Sequence, residues 1–412
     1  MIMAKDAKTD KLTAFFRSFA EADEALNFRM ACETVGEKTD VISTGTPSLD
    51  DALACGGLPC GRLIQYYGAA ASGKTLMSLL AIKEAQKKDP TARQLFIDAE
   101  QTFSSTWADT LGVDTSRVIL IEGDLSSNGR RLFEMLLGVP KENAKHILSG
   151  KSREGLLDKI MNKEKEYNIN IIVLDSLGAI VPPQEDTAAI GKQNMALLSR
   201  FLTTTFRKLS LEVKKANIPF VIINHQKASF DMYGASHSYS GGNSYTHFLS
   251  VNIYFEAVNR ADAKILDENE NRIGSTIRAC AEKNKMGVHP RRCEFKVNFS
   301  SGIIDRHEEI GKLATDYDIV LRPNNVMYQY GDVKWRGEGA FLDAIKSSPS
   351  LALELEQKIE QARDTKWERK RAEQEAIKAG EIPAVSKKPS ALDFINSSKD
   401  EEENDLSEVE GE

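Results

Sequence analysis

The chain has 412 residues, 41% of them hydrophobic and 28% charged, which is the composition of a globular protein with room for two or three domains. It contains no apolar run of the roughly 18 residues that a membrane-spanning helix needs and no apolar leader, so a cytoplasmic protein with no membrane partner is expected. Five scattered cysteines exclude a disulfide framework, and the net charge of −7 rests on eight acids in residues 400–412; residues 1–399 carry +1, so the acidity gives no argument against nucleic-acid binding.

In chain order, Leu12, Phe15, Phe16, Phe19 and Ala20 fall at helical spacing and predict a helical segment within residues 1–40. From Val41 to Asp305, short β-branched runs alternate with longer helical stretches. Leu63–Tyr67, Gln94–Asp98, Val118–Ile121, Ile169–Asp175, Phe220–Asn224 and Val251–Phe255 read as strands. The alternation predicts an α/β fold over 41–305, with a mostly parallel central sheet flanked by helices. Residues 306–362 read as a small α+β lobe, with a turn at Tyr328–Asp332 and a helix over Leu351–Ala362. Residues 363–412 comprise a helix crowded with Lys, Arg and Glu, a link marked by Pro383 and Pro389, and the acidic end. For that end the sequence leaves two readings open, a solubilising extension and a regulatory role.

The strongest local signal is Gly68-Ala69-Ala70-Ala71-Ser72-Gly73-Lys74-Thr75, lying between the strand Leu63–Tyr67 and the helical stretch Leu76–Lys88. Two glycines, a lysine and a threonine at this spacing, between a strand and a helix, form a phosphate-binding P-loop. The loop turns its backbone N–H groups inward, and the helix N-terminus adds partial positive charge, so the nucleotide-binding set runs from Gly68 to Leu76. Lys74 is expected on the β and γ phosphates and Thr75 on Mg²⁺. The apolar run Ile169–Asp175 ends in an acid at the carboxyl edge of the sheet, where Asp175 can hold a metal-bound water. Glu100, just beyond the strand Gln94–Asp98, is the candidate general base, with a surface acid as the alternative. Together these elements imply nucleoside triphosphate hydrolysis.

Residues 225–247 combine His225, Lys227, Phe230, Tyr233, Tyr239, Gly241, Gly242, Asn243 and Tyr245 without strand or helix periodicity. Aromatic rings stack on unpaired bases of any identity, so single-stranded nucleic acid is the expected ligand, with a plain surface loop as the alternative. A second loop, Pro182–Asn194, leads into a helix on which Arg200 and Arg207 share a face suited to phosphates, as a solvated face also would be.

Ile42-Ser43-Thr44-Gly45, Ser48-Leu49-Asp50, Gly56-Gly57-Leu58-Pro59 and Gly61-Arg62 lead into the P-loop. After it come Phe96-Ile97-Asp98-Ala99-Glu100, Leu111-Gly112-Val113-Asp114, Val173-Leu174-Asp175-Ser176, Gly241-Gly242-Asn243 and Lys283-Asn284-Lys285. In these ordered motifs the chain resembles the RecA-type DNA recombinases over roughly residues 40–360, and its size and acidic end are similar to phage recombinases of the UvsX kind. The resemblance implies a RecA-like P-loop ATPase core that uses ATP and Mg²⁺. It implies a homo-oligomeric helical filament on single-stranded DNA that pairs with homologous duplex DNA and exchanges strands, in recombination, repair and recombination-dependent replication. Single-strand-binding and loader proteins, in a bacterial or phage-infected cytoplasm, are the implied company.

The resemblance also implies roles. Glu100 matches the catalytic glutamate, Trp107 an aromatic on the nucleotide base, and His225 the place of a glutamine that senses the γ-phosphate. Met195 and Phe230 match side chains inserted between base triplets, and Arg200, Arg207 and Lys227 match basic positions near the DNA backbone. Gly241, Gly242 and Asn243 close the second DNA loop, while Lys283 and Lys285 match lysines that reach the ATP of a neighbouring subunit. The N-terminal helix would pack on the next subunit. The chain departs from bacterial members at Ala69-Ala70-Ala71, where they carry Pro-Glu-Ser, at His225, and at Ser104, where an acid often reads the adenine amino group. A ring motor or helicase on the same core and a non-catalytic ATP-binding mediator stay open as alternatives.

Overall fold

The computed structural model describes Phe15 and residues 39–123, 129–139, 154–180, 195–227, 238–239, 242–260, 263–287, 291–303 and 305–378. The rest of the N-terminal segment, the loop Pro182–Asn194, Phe230, Gly241, the Pro383–Pro389 link and the acidic end lie outside the described residues. The chain divides into two compact units, Met1–Glu309 and Ile310–Glu412.

In the first unit, β1 (Val41–Ile42) pairs antiparallel with β2 (Leu58–Pro59). The main sheet takes in β3 (Leu63–Gly68), β4 (Arg93–Asp98), β5 (Val118–Ile121), β6 (Ile169–Asp175), β7 (Phe220–Lys227) and β8 (Ser238–Tyr239). It continues with β9 (Val251–Ala257), β10 (Lys264–Leu266), β11 (Arg272–Asn284), β12 (Arg291–Asn298) and β13 (Gly302–Ile303). The order is β13-β12-β11-β9-β3-β7-β6-β4-β5, with β10 on β11 and β8 on β7. From β9 to β5 the strands are mutually parallel. β11, β12 and β13 extend one side in antiparallel fashion. The helices of this unit are α1 (Pro47–Ala52), α2 (Lys74–Lys88), α3 (Ser105–Thr110), α4 (Gly129–Leu137), α5 (Leu156–Met161) and α6 (Met195–Ala216).

Strand alternation sorts the apolar side chains onto two cores. Ile64, Tyr66, Phe96, Ile171, Val173, Val221 and Ile223 join Met77, Leu80 and Ile82 of α2 in one. Leu63, Leu95, Ile97, Ile172, Leu174, Phe220 and Ile222 join Leu132 and Phe133 of α4, Leu157 of α5, and Leu202, Phe206 and Leu209 of α6 in the other. Both faces of β6 are therefore buried, which is why it reads as a near-continuous apolar run, each such side chain contributing about 1.5–3 kcal/mol on burial. Among the described residues Cys55, Cys60, Cys280 and Cys293 form no disulfide, and burial pushes the Cys60 thiol up to about 12.

The boundary between units falls inside α7 (Arg306–Asp316). The second unit contains an antiparallel sheet of β14 (Leu321–Asn324), β15 (Met327–Tyr330) and β16 (Val333–Arg336), followed by α8 (Glu338–Ser347) and α9 (Pro349–Lys378). The turn expected at Tyr328–Asp332 joins β15 to β16. Phe341 of α8, 1% exposed, stacks on Tyr328 with ring centroids 4.8 Å apart and anchors a core that includes Ile310, Val320, Ile345, Leu355 and Ile359.

Candidate active site at the carboxyl edge of the sheet

Parallel strands bring their carboxyl ends to one edge, and the register fixes the neighbours there. Phe255 of β9 lies opposite Gly68 of β3, Gly68 opposite His225 of β7, and Asp98 of β4 opposite Asp175 of β6. Residues 69–73 curl from β3 into α2. A Cβ on Gly68 (φ +153°) would lie 2.1 Å from the carbonyl oxygen of Phe255, and one on Gly73 (φ +91°) would lie 2.3 Å from Cδ1 of Ile277. Gly68 is therefore required by space, since its neighbour is backbone, and Gly73 by its left-handed backbone conformation, since the Ile277 side chain can yield.

Lys74, 5% exposed, donates from Nζ to the carbonyls of Gly68 (3.2 Å) and Ala69 (2.7 Å) and to Oγ of Ser72 (3.4 Å). Burial lowers its pKa below the ordinary lysine value, against the opposing pull of Asp175 and Glu100. Thr75 donates from Oγ1 to Oδ2 of Asp175 at 2.8 Å. Asp175 is 3% exposed, and burial pushes its carboxyl up to about 6; Glu100 and Asp98 add to the rise, while Thr75 and His225 oppose it.

Glu100 accepts hydrogen bonds from the Ser176 hydroxyl and, at 2.8 Å, from Nε2 of His225. Burial alone would raise its carboxyl, but these two bonds, with the charges of His225 and Lys74, outweigh it and hold Glu100 below the usual range. Asp98 accepts the Phe103 N–H on Oδ2 at 2.7 Å, and its Oδ1 is buried without a hydrogen-bond partner.

This donor set fits a Mg²⁺ nucleotide. A hydroxyl and a carboxylate already in contact are hard oxygen ligands, the loop leaves no room for a Cβ at Gly68, and the orphaned Asp98 oxygen is a further acceptor. Among the described residues no group of three or more His, Cys, Asp or Glu side chains is placed to hold a metal ion.

The other residues singled out by the sequence fall in three places. Trp107 lies on α3, whose N-cap is Ser104, and donates its indole N–H to the Phe299 carbonyl at 2.6 Å. Phe299 was not anticipated; it is 42% exposed, with the Arg272 guanidinium 5.8 Å from its ring. Its only sequence signal is a lone aromatic in the polar turn Asn298–Gly302. Arg200 and Arg207 are exposed on α6, Met195 opens that helix, and Lys227 closes β7. Gly242 (φ +76°) sits beside α6, where a Cβ would lie 3.3 Å from Oγ of Ser199, and Asn243 follows it into a short turn, Ser244–Phe248.

Lys283 and Lys285 do not join this group within one chain. Val251 of β9 lies opposite Ile64 of β3, and Asn284 of β11 lies opposite Val251, so both lysines lie toward the amino end of β3. Three residues of strand or more, about 10 Å, separate them from the level of Gly68. Lys283 donates to the Thr246 carbonyl at 2.7 Å and Lys285 to the His247 carbonyl at 3.1 Å. Burial lowers the pKa of Lys283, and the charge of Lys285 adds to the effect.

Comparison with known proteins identifies the family. The RecA N-terminal domain family matches residues 27–140 and 137–304. The RecA protein of Anaplasma marginale (strain Florida) is 30% identical over 360 residues, covering 86% of this chain and 90% of that protein. The chain belongs to the RecA family. A further RecA relative, from Leptospira meyeri, is 29% identical over 333 residues, 80% of this chain and 77% of that protein. The crystal structure of the RadB recombinase aligns with a TM-score of 0.42 at 20% identity, over 63% of this chain and 98% of that one. The segment matched to the RecA N-terminal domain contains every candidate site residue, from Gly68 to Lys285.

Proposed function

We propose that this RecA-family chain is a DNA-dependent ATPase and recombinase that assembles as a helical filament on single-stranded DNA, pairs it with homologous duplex and exchanges the strands. Hydrolysis takes place between adjacent copies. The observation that carries this reading is the separation of two charged groups on one sheet. Lys74, Thr75, Asp175 and Glu100 gather at the carboxyl edge. Lys283 and Lys285 lie toward the amino end of β3, about 10 Å of strand or more away. A lysine side chain spans only about 6 Å. Out of reach of their own copy's nucleotide, these lysines are in this reading offered to one bound by another copy, and a head-to-tail contact repeated without closure builds an open helix.

In this scheme Glu100, kept ionised by Ser176 and His225, takes the proton of the attacking water. Lys74 exchanges the Gly68 and Ala69 carbonyls for phosphate oxygens. Thr75 and Asp175 hold Mg²⁺, which when bound neutralises phosphate charge. Trp107 packs on the base, and the neighbour's copies of Lys283 and Lys285 stabilise negative charge on the transferred phosphoryl group. His225 relays nucleotide occupancy into the segment after β7, where Lys227, Phe230, Gly241, Gly242 and Asn243 meet DNA together with Met195, Arg200 and Arg207. Base pairing supplies sequence recognition, and the protein supplies grip on the backbone. Residues 1–40 pack on the next copy, and single-strand-binding and loader proteins complete the partner set. Among the described residues no helix is long and apolar enough to cross a membrane.

The test is negative-stain imaging with single-stranded DNA, with and without ATP, beside an ATPase assay. Helical filaments that need both ligands, with turnover stimulated by DNA, are expected. Closed rings would contradict the reading in favour of a ring motor, and absent turnover in favour of a mediator.

A further inference from the structure

The hydrogen bonds of the candidate active site continue past His225 into the core. The His225 backbone N–H donates to Oδ1 of Asn224 at 2.8 Å, and Nδ2 of Asn224 donates to the Tyr245 hydroxyl at 2.7 Å. That hydroxyl donates to Oε1 of Gln65 at 2.6 Å, and Nε2 of Gln65 donates to Oδ1 of Asn252 at 3.0 Å. Asn224, Tyr245 and Gln65 are each 0% exposed. Three adjacent strands, β7, β3 and β9, thus each give one core position to an amide where an aliphatic residue would be cheaper to bury. A buried polar chain of this kind is stable only while every member keeps its partners, so its members are constrained to move together.

Tyr245 belongs to the turn Ser244–Phe248, on which three connections converge. At its entry the Asn243 carbonyl accepts the N–H (3.2 Å) and the hydroxyl (2.6 Å) of Thr246, closing the end of the segment assigned to DNA. Inward, the Tyr245 ring packs edge-on against Phe206, with centroids 5.0 Å apart, and its hydroxyl enters the amide chain. At the far side the Thr246 and His247 carbonyls hold the ammonium groups of Lys283 and Lys285.

We propose that Tyr245 is a positioning residue which, through the Ser244–Phe248 turn, couples the Glu100–His225 pair at one sheet edge to the DNA segment and to the lysines Lys283 and Lys285 at the other. The proposal rests on the function proposed above. A nucleotide and its attacking water, arriving at the Glu100 carboxylate whose Oε1 His225 holds at 2.8 Å, shift that pair. Movement of His225 shifts Asn224 and the Tyr245 hydroxyl, and the turn carries this shift to the Thr246 and His247 carbonyls that hold the lysines. One hydroxyl thereby links nucleotide occupancy to grip on DNA and to the readiness of the groups offered to the neighbour.

The test uses the full-length protein and two variants. Tyr245→Phe keeps the ring and its packing while removing the hydroxyl, and Gln65→Met removes the acceptor on its other side. Affinity for a labelled oligothymidylate is measured with a non-hydrolysable ATP analogue and with ADP, beside nucleotide affinity and the thermal midpoint. Wild type is expected to bind DNA more tightly with the analogue; no such difference would overturn the functional reading and the coupling with it. Given the difference, each variant is expected to shrink the analogue-to-ADP affinity ratio at least about fivefold, with nucleotide affinity within about twofold of wild type. A folded variant that retains the wild-type ratio overturns the proposal alone. An equal loss of DNA affinity with both nucleotides also overturns it, because that pattern marks a merely structural role. Should Tyr245→Phe fail to fold, Gln65→Met is judged by the same outcomes.

Discussion

Asp175→Asn, in protein freed of nucleotide and divalent cation, changes stability by an amount that depends on pH. Burial, reinforced by Glu100 and Asp98, pushes the Asp175 carboxyl up to about 6 in the folded chain. An unfolded aspartate titrates near 3.9. Between those values the native state binds more protons than the unfolded state, so stability falls as pH rises. The stabilising contribution is complete below about 3.9 and is lost as pH passes through about 6. The loss integrates to about 1–2 kcal/mol at pH 5 and about 3 kcal/mol at pH 8. Asparagine does not titrate, and its Oδ1 still accepts the Thr75 hydroxyl. In chelator, thermal unfolding should therefore show the variant more stable than wild type, by a margin that roughly doubles from pH 5 to pH 8 and reaches several degrees in Tm. ATP turnover should be lost in the same variant. A variant that melts at or below wild type at pH 8, or a margin independent of pH, refutes the reasoning.

Glu100→Gln should lower DNA-stimulated ATP turnover by about 10²–10⁴-fold while leaving nucleotide affinity nearly unchanged; turnover within about tenfold of wild type would remove Glu100 as the base. Phe341→Ala removes a ring that is 1% exposed and stacked on Tyr328, at a cost of about 3–5 kcal/mol. Hydrogen exchange should then show lost protection in β14–β16 and α8 with nucleotide binding retained, and unchanged protection would contradict the packing argument. Deleting residues 400–412 should strengthen duplex DNA binding most at low salt, where screening is weak; no change at any ionic strength would end the idea that the acidic end competes with DNA.

Much of the parallel sheet was legible because its strands are short apolar runs that end abruptly, buried on both faces in β6 and only partly buried in the edge strand β5. Val118–Ile121 and Ile169–Asp175 keep their expected bounds, and the expected Leu63–Tyr67 gains only Gly68. The antiparallel side was not legible. β12, Arg291–Asn298, alternates charged and apolar residues, and β11 carries Arg278, Glu282 and Lys283 within its length, so neither presents the run that marked the others. Spacing picked out Lys74, Thr75, Asp175 and Glu100 because their positions, at the start of α2 and at or just past strand ends, are set by local chain geometry. Asp98 and Ser176, by contrast, gain their roles from a neighbouring strand, through contacts that separation along the chain does not reveal. Gln65, Asn224 and Asn252 interrupt apolar strands, a signal visible in the sequence, yet Tyr245, the shared partner of Gln65 and Asn224, and the bond from Gln65 to Asn252 become evident only when the strands are side by side.

The central claim, that each nucleotide is worked on by two copies of the chain, is tested most directly by mixing two inactive variants. Lys74→Ala lacks a working P-loop but offers intact Lys283 and Lys285; the double variant Lys283→Ala/Lys285→Ala has the reverse defect. Each alone should be nearly inactive. In an equimolar mixture on single-stranded DNA, random neighbours pair an intact loop with intact lysines at about a quarter of the interfaces, so turnover should recover to about a quarter of the wild-type rate. A mixture as inactive as its components would contradict the account.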